Sequence, residues 1–294
     1  MGEIRHIILH YHFFKNAGST LARSLERNFA EHFVAFDAAH YNRRIRPDEL
    51  LCFIDTHPQI LAISSHHLRP PAPKYDNVQF HEMLLLRDPL DRLRSMYAFY
   101  RRAEVNQDPL TDEAKRRNLQ DFFSYLIENH LNLATNAQVN LVANGGAKIP
   151  DDADAGRACT LLRSMAMTGV AHSFDHFALA AERHLRVFFP HLDLSYVPEN
   201  VTPGRKDALP DRLREFSNEC GPTLFHKLQE LNRLDHELVQ AASEDLKRRV
   251  EEMCFREIHL KEFRRRVATQ KRLYMIATRH LRLQRAWKRV KRFF

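Results

Sequence analysis

The stretch IRHIILHYHFFKNAGSTL, residues 4–21, holds an aliphatic run, a polar loop and the start of a periodic segment, in that order. The run 4–11 is short and rich in Ile and Leu, which suits a strand buried on both faces of a parallel sheet. From Thr20 to about Glu31 the apolar residues Leu21, Leu25 and Phe29 fall four apart, which predicts a helix. A strand feeding a helix through such a loop is the layout of a phosphate-binding turn. The helix start offers unpaired N–H groups and a partial positive charge to an anion. Lys15 precedes Gly18, and Ser19 and Thr20 follow it. The nucleotide-triphosphatase motif G-x-x-x-x-G-K-[ST] has its lysine after the glycines, so the loop at 15–20 is a different device. Taken alone, it is equally a strand–turn–helix with a surface lysine.

Outward from this unit, Val34–Phe36 reads as a short strand and 48–57 as a helix ending before Pro58. ILAISS at 60–65 reads as a second buried strand and RPPAPKYDN at 69–77 as a loop. Val78–Leu86 is a further strand, ending at Arg87. Asp88 and Pro89 then suit the cap and first position of a helix running to about Arg102. Residues 105–165 read as mostly helical with a loop at NGGAKIPDD. A strand is expected near Thr168–Ala171, a helix over 174–187, loop over 190–210 and helix from about Asp211. Strands alternating with helices predict an α/β, P-loop-like three-layer fold, with a central mostly parallel sheet.

With 294 residues, 44% hydrophobic and 28% charged, the chain has the composition of a globular protein. It has no run near the roughly 20 apolar residues of a membrane span. The N-terminus lacks a small-residue cleavage site and reads as a first strand, not a signal peptide. Cys52, Cys159, Cys220 and Cys254 are widely spaced, with no C-x-x-C pair, as expected of free thiols in a cytoplasmic protein. No metal-ligand spacing stands out, so no metal is expected. His6 and His10 share an even spacing on the first strand and read as structural.

The net charge of +8 is unevenly placed. Residues 255–294 hold fourteen Lys/Arg and two acids, leaving 1–254 mildly acidic. A main unit over 1–254 and a basic helical C-terminal extension over 255–294 follow. In the extension Leu273, Ile276, His280, Leu283, Trp287, Val290 and Phe294 recur three and four apart. This stripe suits an anionic membrane surface, a partner protein or the main body, or it gathers an acidic polysaccharide. No nucleic-acid reading motif accompanies the charge, so no specific nucleic acid is expected.

LLLRDPLDRLRSMYAFY, residues 84–100, carries the second signal. Arg87 ends a strand, and Asp88, Arg92 and Ser95 share one helical face. An arginine and a serine so placed can grip one phosphate. The bland alternative is a capped helix with an Asp88–Arg92 salt bridge.

Together these loops resemble the PAPS-dependent sulfotransferases, in particular the carbohydrate sulfotransferase group with heparan sulfate 2-O-sulfotransferase. His12-Phe13-Phe14-Lys15-Asn16-Ala17-Gly18-Ser19-Thr20-Leu21 is similar to that family's H-I-P-K-T-G-G-T-S-L. Leu86-Arg87-Asp88-Pro89 with Arg92, Ser95 and Tyr97 matches its L-R-D-P-x-x-R-x-x-S-x-Y. Asn136-Ala137-Gln138 resembles a downstream N-x-Q element, and Asn232, Asp235 and Leu238 a late N-x-x-D-x-x-L helix. Phe14 stands where the family has proline and Ala17 where it has glycine. Because alanine resists positive φ, an ordinary backbone conformation is expected at Ala17.

The resemblance implies PAPS (3′-phosphoadenosine 5′-phosphosulfate) as co-substrate, held by Lys15 and by Asn16, Ala17, Gly18, Ser19 and Thr20 at the phosphosulfate. It implies Arg87 and Ser95 at the 3′-phosphate. Arg205 and Lys206 either close over that phosphate or form a solvated pair. Sulfuryl transfer to a hydroxyl or amine of a carbohydrate or glycolipid acceptor needs a base, and His66 or His67, after the strand 60–65, fills that role, His66 preferred. The loops 67–77 and 103–118 are expected to build the acceptor pocket. A P-loop-type kinase and a non-catalytic nucleotide-binding protein are the alternatives. A cytoplasmic enzyme, peripheral on a membrane through its tail, is the overall expectation.

Overall fold

A computed structural model describes residues 4–40, 43–104, 108–200, 204 and 206–290, with side chains described as far as Thr278. The aliphatic runs form a five-stranded sheet: β1 (Arg5–Tyr11), β2 (Phe33–Ala35), β3 (Ala62–Ser65), β4 (Val78–Leu86) and β5 (Met167–Val170). The strand order is β2-β3-β1-β4-β5, and every pairing is parallel. The expected strand at 60–65 starts two residues late, because the Ile60 amide is spent on a turn to the His57 carbonyl.

Between the strands lie α1 (Gly18–Phe29), α2 (Pro47–Thr56) and α3 (Pro89–Arg102). After α3 the expected helical section resolves into α4 (Pro109–Arg116), α5 (Leu119–Asn129), α6 (Leu131–Ala134), α7 (Ala137–Asn144) and α8 (Asp152–Ser164). Beyond β5 come α9 (Phe174–Leu185), α10 (Leu209–Cys220), α11 (Pro222–Leu231), α12 (Arg233–Glu252) and α13 (Glu257–Val290).

The two-residue alternation of β1 sorts its side chains into two cores. Ile7, Leu9 and Tyr11 join α2, α7, α8 and α12 on one face, whereas Ile8 joins α1 and α9 on the other. This is the three-layer α/β arrangement. A third cluster, built on Leu93, Phe122, Phe123 and Phe216, packs α3–α6 with α10 and α11.

Packing against the body continues past 254/255, the unit boundary read from charge. Phe263 and Val267 are buried in the second core, and Arg266 bridges Glu182 and Asp193. Among the described residues, no helix is long and apolar enough to cross a membrane.

Candidate functional site

β1 and β4 are adjacent, so the two loops that leave their C-terminal ends lie side by side, at the edge where open α/β sheets bind ligands. The first loop departs from its expected conformation. Ala17 has φ 64° and Lys15 φ 65°, both left-handed. The shape costs about 1–2 kcal/mol at each non-glycine residue. It persists because the surroundings over-determine it. Asn16 Nδ2 donates to the Leu85 carbonyl (3.0 Å) and to Gln138 Oε1 (2.9 Å). Arg87 Nη1 donates to the Lys15 carbonyl (3.0 Å) and Arg92 Nε to the Phe14 carbonyl (3.3 Å). Asn16, expected at the ligand, therefore turns its side chain inward. No side chain caps α1; the Thr20 amide donates to the Ala17 carbonyl (3.2 Å), while Gly18 and Ser19 border the cleft described below.

The second loop satisfies itself. Asp88 accepts from the amides of Leu90 (3.0 Å) and Asp91 (2.9 Å). Asp88 is thus the cap of α3 that the sequence predicts. Arg87 Nε donates to Asp91 Oδ2 (2.8 Å), and Arg212 grips both oxygens of the same carboxylate (2.9 and 3.1 Å). Burial alone would raise the Asp91 carboxyl, but the two guanidinium groups win and hold it well below the usual carboxylate range.

Behind both loops runs a buried polar brace. Gln138 accepts from the Arg87 amide (2.9 Å) and donates to the Arg87 carbonyl (2.8 Å). Its own amide and that of Val139 donate to Asp235 (Val139 at 2.8 Å). Asn136 and Asn232 close the ring: the Asn136 amide donates to Asn232 Oδ1 and Asn136 Oδ1 accepts from the Asp235 amide. The residues of the two weaker sequence elements thus form one network that reaches both loops.

Lys15, Ala17, Gly18, Ser19, Thr20, Arg87 and Ser95 line a single cleft of about 740 Å³. Phe14, the residue in place of proline, meets Phe99 edge to face at 5.3 Å, and the Lys15 ammonium lies 4.8 Å from the Phe99 ring centre. The aromatic pair steers the lysine along the cleft wall. A second cleft of about 490 Å³ adjoins the first, and His12, Ser19, His66 and Glu199 border both.

The two candidate bases separate. His66 is exposed at the junction of the clefts, its ring stacked 3.8 Å from that of His12. Partial desolvation of the ring lowers its pKa below the ordinary value, while Asp37 and a hydrogen bond to the His12 backbone oppose that shift. His67 is buried and lines neither cleft. Its Nδ1 sits 3.1 Å from Asp37 Oδ1 and 3.1 Å from the Ala38 amide. It anchors the loop, and of the pair only His66 borders the clefts.

His12 was legible only as a member of the first motif. Its position, one residue beyond a strand's C-terminal end, was the available signal. Burial, with His10 and His66 beside it, lowers its pKa to about 2. Its Nε2 is 3.5 Å from Ser19 Oγ. A Cβ added at Gly18 would overlap the His12 ring, so residue 18 is glycine for space and not for a positive φ.

Lys206 is exposed and borders neither cleft; its carbonyl accepts from Arg212 Nη1 (3.2 Å). Its backbone thereby joins the chain that runs through Arg212 and Asp91 to Arg87. Arg205 lies outside the described residues. Among the described residues, no group of three or more His, Cys, Asp or Glu is placed to hold a metal ion.

No known protein-family model matches the chain. Over 246 residues it is 28% identical to an uncharacterized protein of Archaeoglobus fulgidus, a similarity covering 79% of this chain and 93% of that protein.

Proposed function

We propose that the chain is a sulfotransferase that moves a sulfuryl group from PAPS to a hydroxyl or amine of a carbohydrate acceptor. One observation carries the reading: Lys15, the uncapped start of α1, Arg87 and Ser95 line one cleft. Its volume of about 740 Å³ falls in the range that encloses a nucleotide-sized ligand. The donor set fits a ligand with two separate anionic ends. PAPS, when bound, supplies the sulfuryl group and a phosphate leaving group.

Lys15 and the amides of Ala17 to Ser19 stabilise charge that grows on the leaving phosphate oxygen. Arg87 and Ser95 hold the second phosphate, and Asp91 with Arg212 fixes the guanidinium. The acceptor enters from the second cleft. Its oxygen bonds to sulfur as the sulfur–oxygen bond to the phosphate breaks. His66 takes the acceptor proton, and 3′,5′-ADP leaves. The wall of this cleft comes from α1, β2, Asp37 and Tyr274.

The kinase alternative is weakened by the place of Lys15, before the glycine and itself left-handed, two residues from left-handed Ala17. The test is a thermal shift with 3′,5′-ADP in the absence of Mg²⁺. Wild type is stabilised, and Arg87→Ala loses the shift. A preference for Mg-ATP favours a kinase. Binding of 3′,5′-ADP without its release from labelled PAPS, across an acceptor screen, favours a non-catalytic protein. Full activity in His66→Ala would discard the base assignment alone.

A further inference from the structure

α13 is anchored at its start and exposed over the turns that follow, as far as Ala277. Phe263 and Val267 are buried, Arg264 Nε donates to Asp175 (2.8 Å), and Arg266 bridges Glu182 and Asp193. From Lys271 to Ala277 every residue is exposed. Leu273 is 56%, Met275 60% and Ile276 65% exposed, far above the level of the buried turns before them. At 100° per residue, Leu273 and Ile276 share a face that points away from the line of Phe263 and Val267. In the sequence the same spacing continues through His280, Leu283 and Trp287, and residues 271–290 hold seven Lys/Arg and no Asp or Glu.

The occupant of this face has to answer both the cations and the apolar stripe. A second copy of the helix meets the stripe but sets two strongly basic helices side by side, and they repel. An acidic polypeptide meets the cations but leaves Leu273 and Ile276 in water. An anionic bilayer surface meets both, with apolar side chains at the acyl boundary and basic ones among the headgroups.

We propose that α13 from Lys271 onward lies on an anionic lipid surface, with Leu273 and Ile276 entering the interface and Lys271 and Arg272 beside lipid phosphates. Tyr274, between them in the chain, borders the second cleft. Docking therefore engages the same helical turn that walls the second cleft. The proposal stands apart from the nucleotide reading, because vesicle binding requires no PAPS.

Co-sedimentation of the full chain with vesicles tests it. Phosphatidylcholine vesicles containing phosphatidylglycerol are expected to bind at least about tenfold more tightly than pure phosphatidylcholine, with loss of binding as salt rises. L273E/I276E is expected to weaken this binding at least about tenfold while keeping the wild-type melting temperature. Equal binding to neutral vesicles, no binding, or unchanged binding by L273E/I276E overturns the proposal. So does self-association that L273E/I276E abolishes in the absence of lipid, which assigns the stripe to a contact between copies. Preference for polyglutamate over anionic vesicles assigns the basic face to an acidic protein and overturns it equally.

Discussion

The starts of α1 and α3 are built from the same parts and finished differently. Each follows a central parallel strand and opens on the same cleft. At α3, Asp88 caps two amides and Asp91 ties two arginines together. At α1, no side chain caps the helix, and two residues before it are left-handed. One loop has satisfied its donors internally and acts as a frame. The other leaves its helix start without a side-chain cap, and the frame and the polar brace grip it from behind.

The sharpest way to break this contrast is at the open loop. Lys15→Ala is expected to lower sulfuryl transfer about 10²–10³-fold, as loss of one oxyanion donor does elsewhere. Its melting temperature without nucleotide should stay near wild type. An unfolded Lys15→Ala would show the lysine to be part of the frame.

Gln138→Ala removes the link between the two loops. It leaves the Arg87 amide and the Asn16 side chain without an acceptor they now have, and is expected to cost about 2–3 kcal/mol in denaturant unfolding. A neutral outcome would mean the loops do not depend on the brace.

A third prediction concerns pH. His10 is fully buried beneath the first loop, and burial, aided by His66, holds its pKa at about 3 against an ordinary 6.5. The unfolded chain takes up a proton there below about pH 6.5 and the folded chain does not. Stability should therefore fall as pH drops through the window from 6.5 toward 3, by about 1.4 kcal/mol per pH unit for this group. His10→Gln should flatten the profile by one proton, as read from urea midpoints across that range. An unchanged slope would show that His10 is charged in the fold.

The smallest effects come as an opposed pair. Asp88→Ala should cost about 1 kcal/mol by loss of a cap. Ala17→Gly should stabilise by about 0.5–1 kcal/mol through relief of the left-handed alanine. Two calorimetric melts check the signs, and matching signs would erase the distinction between the loops.

Most of the architecture was legible in the sequence. β1, β4 and α3 announce themselves through continuous aliphatic runs and an Asp-Pro start, signals carried by neighbouring residues. The cleft's Lys15, Arg87 and Ser95 were legible for the same reason, as local motifs. What stayed hidden depends on distance in the chain. Arg212 meets Asp91 across 121 residues, and nothing local marks it. Ala17 was expected in an ordinary conformation because propensity favours one; tertiary grip on Lys15 and Asn16 overrode it. His66 and His67 are identical to any pattern, and only the alternation at a strand's end decides which ring faces the cleft. The second cleft gathers Arg23, Asp37, His66 and Tyr274 from four separate segments, so no single stretch could predict it.

The absence of a side chain at residue 18 has a consequence for related chains. The imidazole of His12 fills the volume that a methyl group there would take. The two positions are therefore one choice. A homologue that gains alanine or anything larger at 18 has to shrink residue 12 or swing it aside, and with it goes the stacked partner of His66. Paired substitution at 12 and 18, scored across divergent relatives, is a record that evolution has already written of whether this contact matters.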